Sequence, residues 1–398
     1  MTLELSARAA QLSGSVIDSS TQLLAQQEHD IVRFAMGAPS EDLIPMAQLD
    51  ELFSRMPAGR YDYGESPGEP ALREQIIALS EQMGNPTSDD RLVVTNGAMQ
   101  GLDLAFKLLV DPGDLVIVEK PTYPNGYQTA QSYEADVVAV PVDRHGLVIE
   151  SLEEVVRHSG KKPKVIYTIP NFQNPSGVTL SEERKRRLLE LAEQWGSVIV
   201  EDDPYGMLRF DGSDVPSFSA LGGENPRVFR IQTFSKLIAP GLRVGWIDVD
   251  PALQKLAVNA KQAMDTCTNA PNQLVVAQFL ERGYLTPHLE RLRPLYRQRK
   301  IAMKEALSDS FGSSITMTEP EGGFFLWVTF SQAAEHLDTG KLFPIALEQG
   351  VAYIPGVAFT LDGSHHNALR LCFATSSPDR IREGVERLSR AIETFESV

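Results

Sequence analysis

The sequence predicts an α/β protein: a large domain with a mainly parallel central sheet flanked by helices, joined to a smaller α+β domain. Three observations carry that expectation. From about Arg91, short β-branched runs alternate with amphipathic stretches, as a parallel sheet with crossover helices demands. After about Leu285 the texture changes to a long charged helix, several short strands and a closing amphipathic helix. The length of 398 residues also exceeds the roughly 250 to 300 at which single cores stop growing.

Each element follows in order. Residues 1–50 are loop-rich, with "FAMGAPSEDLIP" between helical pieces, and are expected to pack with the small domain. The large domain is expected over 51–285. There "RLVVTNGAMQGLDLAFKLLVDPGD" reads as a strand, a tight Asn-Gly turn and a helix from about Ala98 that ends before Pro112 and Gly113. "LVIVEKPTYPN", "DVVAVPVD", "PKVIYTIPNFQNPSG", "GSVIVEDDPYG" and "RVFRIQTFSK" read as further strands with their loops, and "LSEERKRRLLELAEQWG" is the clearest intervening helix. The small domain, 286–398, is expected to hold the helix "TPHLERLRPLYRQRKIAMKEALSDSF", the segment "EPEGGFFLWVTF" and a helix around Gly340 to Gly350. The strands "VAYIPGVAF" and "ALRLCFA" and the helix "SPDRIREGVERLSRAIETF" complete it.

Composition narrows the partners. With 53 acidic and 37 basic residues the net charge is −16, which disfavours nucleic acid and anionic membrane. The run Arg184, Lys185, Arg186, Arg187 follows two glutamates on a helix and reads as a solvated face. Cys267 and Cys372 have no short spacing to each other or to histidine, so neither a disulfide framework nor a metal cluster is indicated, and two free thiols suit a reducing cytoplasm. The start lacks the pattern of an export signal, and no apolar run approaches the roughly 18 residues of a membrane span.

The candidate chemistry gathers at strand ends, where ligands of open α/β sheets collect. Taken singly, Lys236, Asp202, Asn174, Tyr123 and Tyr205 each have a plain structural explanation. Together they lie at the ends of neighbouring strands and would face one cavity. "TNGAMQ" joins strand to helix, so the amides of Gly97, Ala98 and Met99 form a helix start suited to a phosphate. The Thr233 and Ser235 hydroxyls and the Arg243 guanidinium add donors and a fixed positive charge for the same anion. The remaining groups suit an aromatic aldehyde cofactor. Asp202 would keep a pyridine nitrogen protonated, Tyr205 and Asn174 would donate to a phenolate oxygen, Tyr123 would stack on the ring, and Lys236 would form the imine. That last role needs the lysine pKa depressed by roughly three units.

The segment "TFSKLIAPGLRVGW" resembles the corresponding stretch of fold-type I, pyridoxal phosphate-dependent aminotransferases of class I/II, with the nearest look to the kynurenine and 2-aminoadipate branch. "YDYGESPGEPALR", "TNGAMQGLDL", "EKPTYPNG", "IPNFQNPSGVTLS", "VEDDPYGMLRF", "PEGGFFLWV", "YIPGVAF" and "ALRLCFAT" occur in the family's order, so the resemblance covers almost the whole chain. It implies transfer of an amino group between an L-amino acid and a 2-oxo acid by a ping-pong route. Lys236 would be the Schiff-base lysine and proton shuttle, with Asp202 on the pyridinium and Tyr205 and Asn174 on the ring oxygen. Thr233, Ser235 and Arg243 would hold the phosphate. It further implies Arg370 as the bidentate partner of the substrate carboxylate, assisted by Asn174 and the backbone near Gly37, and a homodimer in which Tyr63 reaches the neighbouring subunit's phosphate.

Two departures stand out. Where many relatives place Ser-Gln in the phosphate loop, this chain has Ala98 and Met99, which leaves only backbone amides. The first-helix arginine found in the 2-aminoadipate branch has no counterpart in "SVIDSSTQLLAQQ", which counts against dicarboxylic specificity. Phe324 and Phe325 are read equally as pocket lining or as core. Other reactions of the same cofactor, namely β-elimination, decarboxylation or oxidation, are the alternative within this fold. An effector-sensing regulator is disfavoured by the acidic charge and by the early position of "FAMGAPS".

Overall fold

The computed structural model describes residues 6, 8, 9, 14, 29–56, 61–223, 225, 227–331 and 337–397. The stretch 15–27, which bears on the missing first-helix arginine, lies outside them, as does most of the rest of residues 1–28. The first strand, β1 (Val32–Arg33), finds its partner near the far end of the chain. The main sheet comprises β2 (Leu92–Thr95), β3 (Leu115–Lys120), β4 (Asp136–Asp143), β5 (Gly146–Leu147), β6 (Val165–Thr168), β7 (Val198–Asp202), β8 (Val228–Thr233) and β9 (Gly245–Asp248). Its order is β2-β9-β8-β7-β6-β3-β4-β5. The pairs joining β4, β3, β6, β7 and β8 are parallel, whereas β9 runs antiparallel to both β8 and β2.

Alternation along the strands supplies a core on each face. Val116 and Val118 of β3, Tyr167 of β6 and Val200 of β7 pack with Leu102 and Phe106 of the helix Gly97–Leu109. Leu115, Ile117, Ile166 and Ile199 face the other way, toward Leu152 of Ile149–Ser159 and Leu188 and Leu191 of Glu182–Trp195. The latter helix has both ends finished locally: Ser181 accepts from the Arg184 amide, and Gly196 adopts the left-handed conformation after its last turn.

The basic run on that helix needs one correction. Arg184 is bidentate to Asp143, Arg186 bonds Glu182 and Arg187 bonds Glu190, all at the surface. Lys185 instead is fully buried, its Nζ donating to the Pro216 carbonyl at 2.8 Å. On a helix, neighbouring residues point about 100° apart, so the four basic side chains cannot share one solvated face.

The later part of the chain forms an antiparallel sheet, β10 (Ile315–Met317), β11 (Phe325–Phe330), β13 (Ile354–Pro355) and β14 (Ala368–Cys372), in the order β10-β11-β14-β13. "VAYIPGVAF", expected as one strand, divides into β12 (Val351–Ala352), β13 and a single turn of 3-10 helix, Gly356–Phe359. Pro355 has no N–H to continue a ladder, which ends the strand there. The closing helix Pro378–Glu396 packs along the long helix Leu285–Phe311. β1 pairs in parallel with β12, while the helix Met46–Ser54 packs on Ala270–Glu281, so the segment before residue 55 contacts both parts of the molecule.

Candidate active site

The parallel strands deliver their carboxyl ends to one edge of the main sheet, and antiparallel β9 begins at that same edge. Consequently Asp202 at the end of β7, Thr233 at the end of β8 and Arg243 just before β9 meet, although widely spaced in sequence. They line a cavity of about 280 Å³ together with Ala98, Met99, Tyr123, Asn174, Tyr205, Ser235 and Lys236. Gly37 and Arg370 close it from the other part of the chain.

Lys236 is half-buried, with its amine enclosed at the cavity wall, where it donates to the Gly37 carbonyl at 2.6 Å. Burial, with Arg370 and Arg243 adding to it, lowers its pKa to about 8. Asp202 is 3% exposed. Its Oδ2 accepts from the Tyr167 hydroxyl at 2.9 Å, while Oδ1 is buried with no partner. Burial raises this carboxyl to about pKa 7. Strand alternation explains why Asp202 rather than Glu201 serves the cavity: Glu201 points to the opposite face, 3.6 Å from Arg230.

At the other end, Thr233 Oγ1 donates to Ser235 Oγ at 2.9 Å, and Arg243 Nη1 donates to the same hydroxyl at 3.3 Å. Arg243 Nη2 bonds the Asn96 carbonyl at 3.2 Å. Gly97 does not itself line the cavity but begins the helix behind this group. Its φ of +70° and its contact with Arg243 leave no place for a side chain, since a Cβ there would overlap the guanidinium. Gly101, one turn on, lets the helix rest on β8 and β9, where a Cβ would come within 2.9 Å of Ile231.

Arg370, on β14, is 1% exposed. Nη1 donates to Asn174 Oδ1 at 2.9 Å and Nη2 to the Ala35 carbonyl at 2.6 Å; Nε is buried without a partner. The guanidinium lies over the rings of Phe325 and Phe359. Burial brings its pKa down to about 10, so it stays cationic. It forms no ion pair with any carboxylate among the described residues, unlike a surface salt bridge. A buried charge without a counter-ion is costly in a folded protein unless a ligand supplies one.

This geometry has close counterparts. The sequence profile described as "Aminotransferase class I and II" matches residues 29–388. The chain belongs to that aminotransferase family. It is 38% identical to the aromatic-amino-acid aminotransferase 1 of Thermococcus litoralis over 92% of this chain and 88% of that protein. It is 35% identical to the 2-aminoadipate transaminase of Thermus thermophilus, over 92% and 91% of the two chains. The crystal structure of Pyrococcus horikoshii kynurenine aminotransferase, in complex with pyridoxamine phosphate (PMP), superposes with a TM-score of 0.91 at 36% identity, covering 98% of this chain and 97% of that one. The protein is thus a pyridoxal phosphate-dependent aminotransferase of fold type I.

The aminotransferase's own residues fit that cofactor. Asp202 offers a buried, unpartnered oxygen to a ring N–H cation, and the Thr233, Ser235 and Arg243 cluster offers donors to a phosphate. Three features escaped the reading of the sequence. Tyr167 anchors Asp202, a role hidden in an apolar strand. Glu119, buried beneath, accepts from Thr168, from Gln173 at 3.0 Å and from the Ile169 amide, and burial raises it to about pKa 7. Gln173 also bonds the Pro121 carbonyl and Ser176, and so secures the loop that carries Asn174. Of the two phenylalanines, Phe325 lines the cavity and Phe324 sits behind it, edge-on to Tyr205 and Tyr296. Tyr63 lies away from the cavity and is 87% exposed. Among the described residues no helix is long and apolar enough to cross a membrane.

Proposed function

We propose that this aminotransferase uses Lys236 as its covalent and proton-transferring lysine and Arg370 as the clamp for substrate carboxylates, and that it favours apolar or aromatic L-amino acids. The carrying observation is that one cavity holds an amine with a lowered pKa, a buried carboxyl with one oxygen unpartnered and a buried guanidinium with no counter-ion among the described residues.

When bound, pyridoxal phosphate would supply the electron sink that stabilises the pair left at the substrate α-carbon. Asp202 Oδ1, buried without a partner, would hold the proton on the ring nitrogen. Ionising Asp202 is opposed by burial, with the Asp203 charge adding to it, and favoured once a cation lies beside it. Arg370, steadied by Asn174 and the Ala35 carbonyl, fixes the carboxylate of an amino or 2-oxo acid and thereby sets which α-bond is broken. Lys236 Nζ takes the α-proton. Burial, which lowers the pKa of this amine to about 8, favours the unprotonated form that the step requires. Tyr205, whose hydroxyl burial keeps protonated, and Asn174 would donate to the ring oxygen, and Tyr123 would cover the ring.

For the substrate side chain, Met36, Met99, Tyr123 and Phe325 offer apolar surface. The cations lining the cavity among the described residues are Lys236, Arg243 and Arg370, each already assigned, and 15–27 contains no Arg or Lys. The aromatic-amino-acid name of one relative supports the same reading. The two units would meet near Leu285, where the long helix starts. A homodimer with Tyr63 serving the neighbouring site, and a cytoplasmic location suited to the free Cys267 and Cys372, complete the proposal.

The test is a donor panel with 2-oxoglutarate and pyruvate as acceptors. L-phenylalanine and L-tyrosine should exceed 2-aminoadipate and aspartate in kcat/KM by about tenfold or more, the worth of one well-buried apolar group. A preference for 2-aminoadipate would refute the specificity. In parallel, Lys236→Ala should lose both activity and the visible absorbance of the bound cofactor while remaining folded.

A further inference from the structure

Asn96 stands at the N-cap of the helix Gly97–Leu109, and asparagine there ordinarily accepts from an amide in the first turn. In this protein it does not: its side chain makes no capping bond, and Nδ2 donates instead to Asp265 Oδ2. Gln100 behaves in concert. Its Oε1 accepts from the Asn96 amide at 2.8 Å, and its Nε2 donates to the same Asp265 oxygen at 2.8 Å. Lys261, buried at the end of the helix Pro251–Gln262, donates to both Asp265 oxygens at 2.7 and 2.8 Å. The Asp265 charge is therefore compensated and does not oppose an anion beside it.

This matters because Ala98 and Met99 bring no side-chain donor to the phosphate, so the amides of the first turn must serve. A side-chain oxygen folded onto those amides would compete for them. We propose that Asp265 is a positioning residue for the cofactor phosphate: it holds the Asn96 side chain off the first-turn amides, with Gln100 turned back onto the Asn96 amide, and leaves the first-turn amides open to the anion. The same arrangement fixes the Asn96 carbonyl that receives Arg243. The inference rests on the reading that Gly97–Met99, Thr233, Ser235 and Arg243 hold the phosphate.

The experiment titrates cofactor-free protein with pyridoxal phosphate and reads its dissociation constant by visible absorbance. Asp265→Ala frees Asn96 to cap the helix and should weaken binding about fivefold, the equivalent of one capping bond. Removing the competing side chain as well, in Asn96→Ala/Asp265→Ala, should restore affinity to within about twofold of the parent. A merely structural role for Asp265 would leave the double variant as weak as the single, and that result overturns the proposal, as does wild-type affinity in Asp265→Ala. Because Lys261 loses its partner, the comparison is repeated in a Lys261→Met background; a loss of affinity seen only when Lys261 is present also overturns it. Arg243→Ala separates the underlying reading. Unchanged affinity there removes the phosphate assignment itself, whereas weakened binding there with none in Asp265→Ala sinks only the role of Asp265.

Discussion

Lys236 shows how burial sets chemistry at one residue. Folding lowers the affinity of its amine for a proton, so between about pH 8 and 10.5 the folded chain binds fewer protons than the unfolded one. The stability of the cofactor-free protein should therefore rise with pH across that window on account of this group. Lys236→Met should stabilise the cofactor-free protein by about 1 to 3 kcal/mol at pH 7, an advantage that shrinks toward pH 10.5. Urea unfolding at both pH values checks it. Arg370 presents the complementary case of a buried charge with no counter-ion among the described residues, where the proposed substrate carboxylate would match it. Arg370→Lys retains the charge but loses the two-pronged geometry, and kcat/KM should fall about 100-fold for amino and 2-oxo acids alike. A KM effect confined to one substrate would contradict the assignment. The place of Lys236 at the cavity was legible from its neighbours in "TFSKLIAPGLR", as was the grouping of Asn174 with Arg370; the bond from Arg370 to the Ala35 carbonyl was not, because Ala35 is far from it in sequence.

At the level of elements, the junction between β2 and the helix Gly97–Leu109 concentrates the constraint. Gly97→Ala forces a left-handed backbone on a residue with a side chain and pushes on Arg243. It should cost about 1 to 3 kcal/mol in stability and weaken cofactor binding, which melting and cofactor titration measure together. Ser181 offers the contrast. Its cap bond to the Arg184 amide stabilises a helix remote from the cavity, so Ser181→Ala should cost about 1 kcal/mol while kcat/KM stays unchanged. Helices such as Glu182–Trp195 were visible from their caps and periodicity. The division of "VAYIPGVAF" and the burial of Lys185 were not, because each depends on what packs against it.

For the whole molecule, the exposed rings of Tyr61 and Tyr63 suit a surface that a second copy covers. Size-exclusion chromatography should give twice the 43.9 kDa chain mass. If Tyr63 serves the neighbouring site, mixing Lys236→Ala with Tyr63→Ala chains should recover about a quarter of the activity, since each mixed dimer has one intact site. No recovery would place Tyr63 outside the partner's site. The sequence by itself determined the α/β class, the order of the main elements and most of the candidate residues, because strand alternation, helix caps and Gly-Pro punctuation are local signals. Tertiary structure decided what faces what. The antiparallel entry of β9 brings Arg243 beside Thr233, and β1 delivers the Gly37 carbonyl to Lys236. The loop fixed by Gln173 sets Asn174 against Arg370. Contacts of this kind join residues separated by up to most of the chain, and only a closed core can specify them.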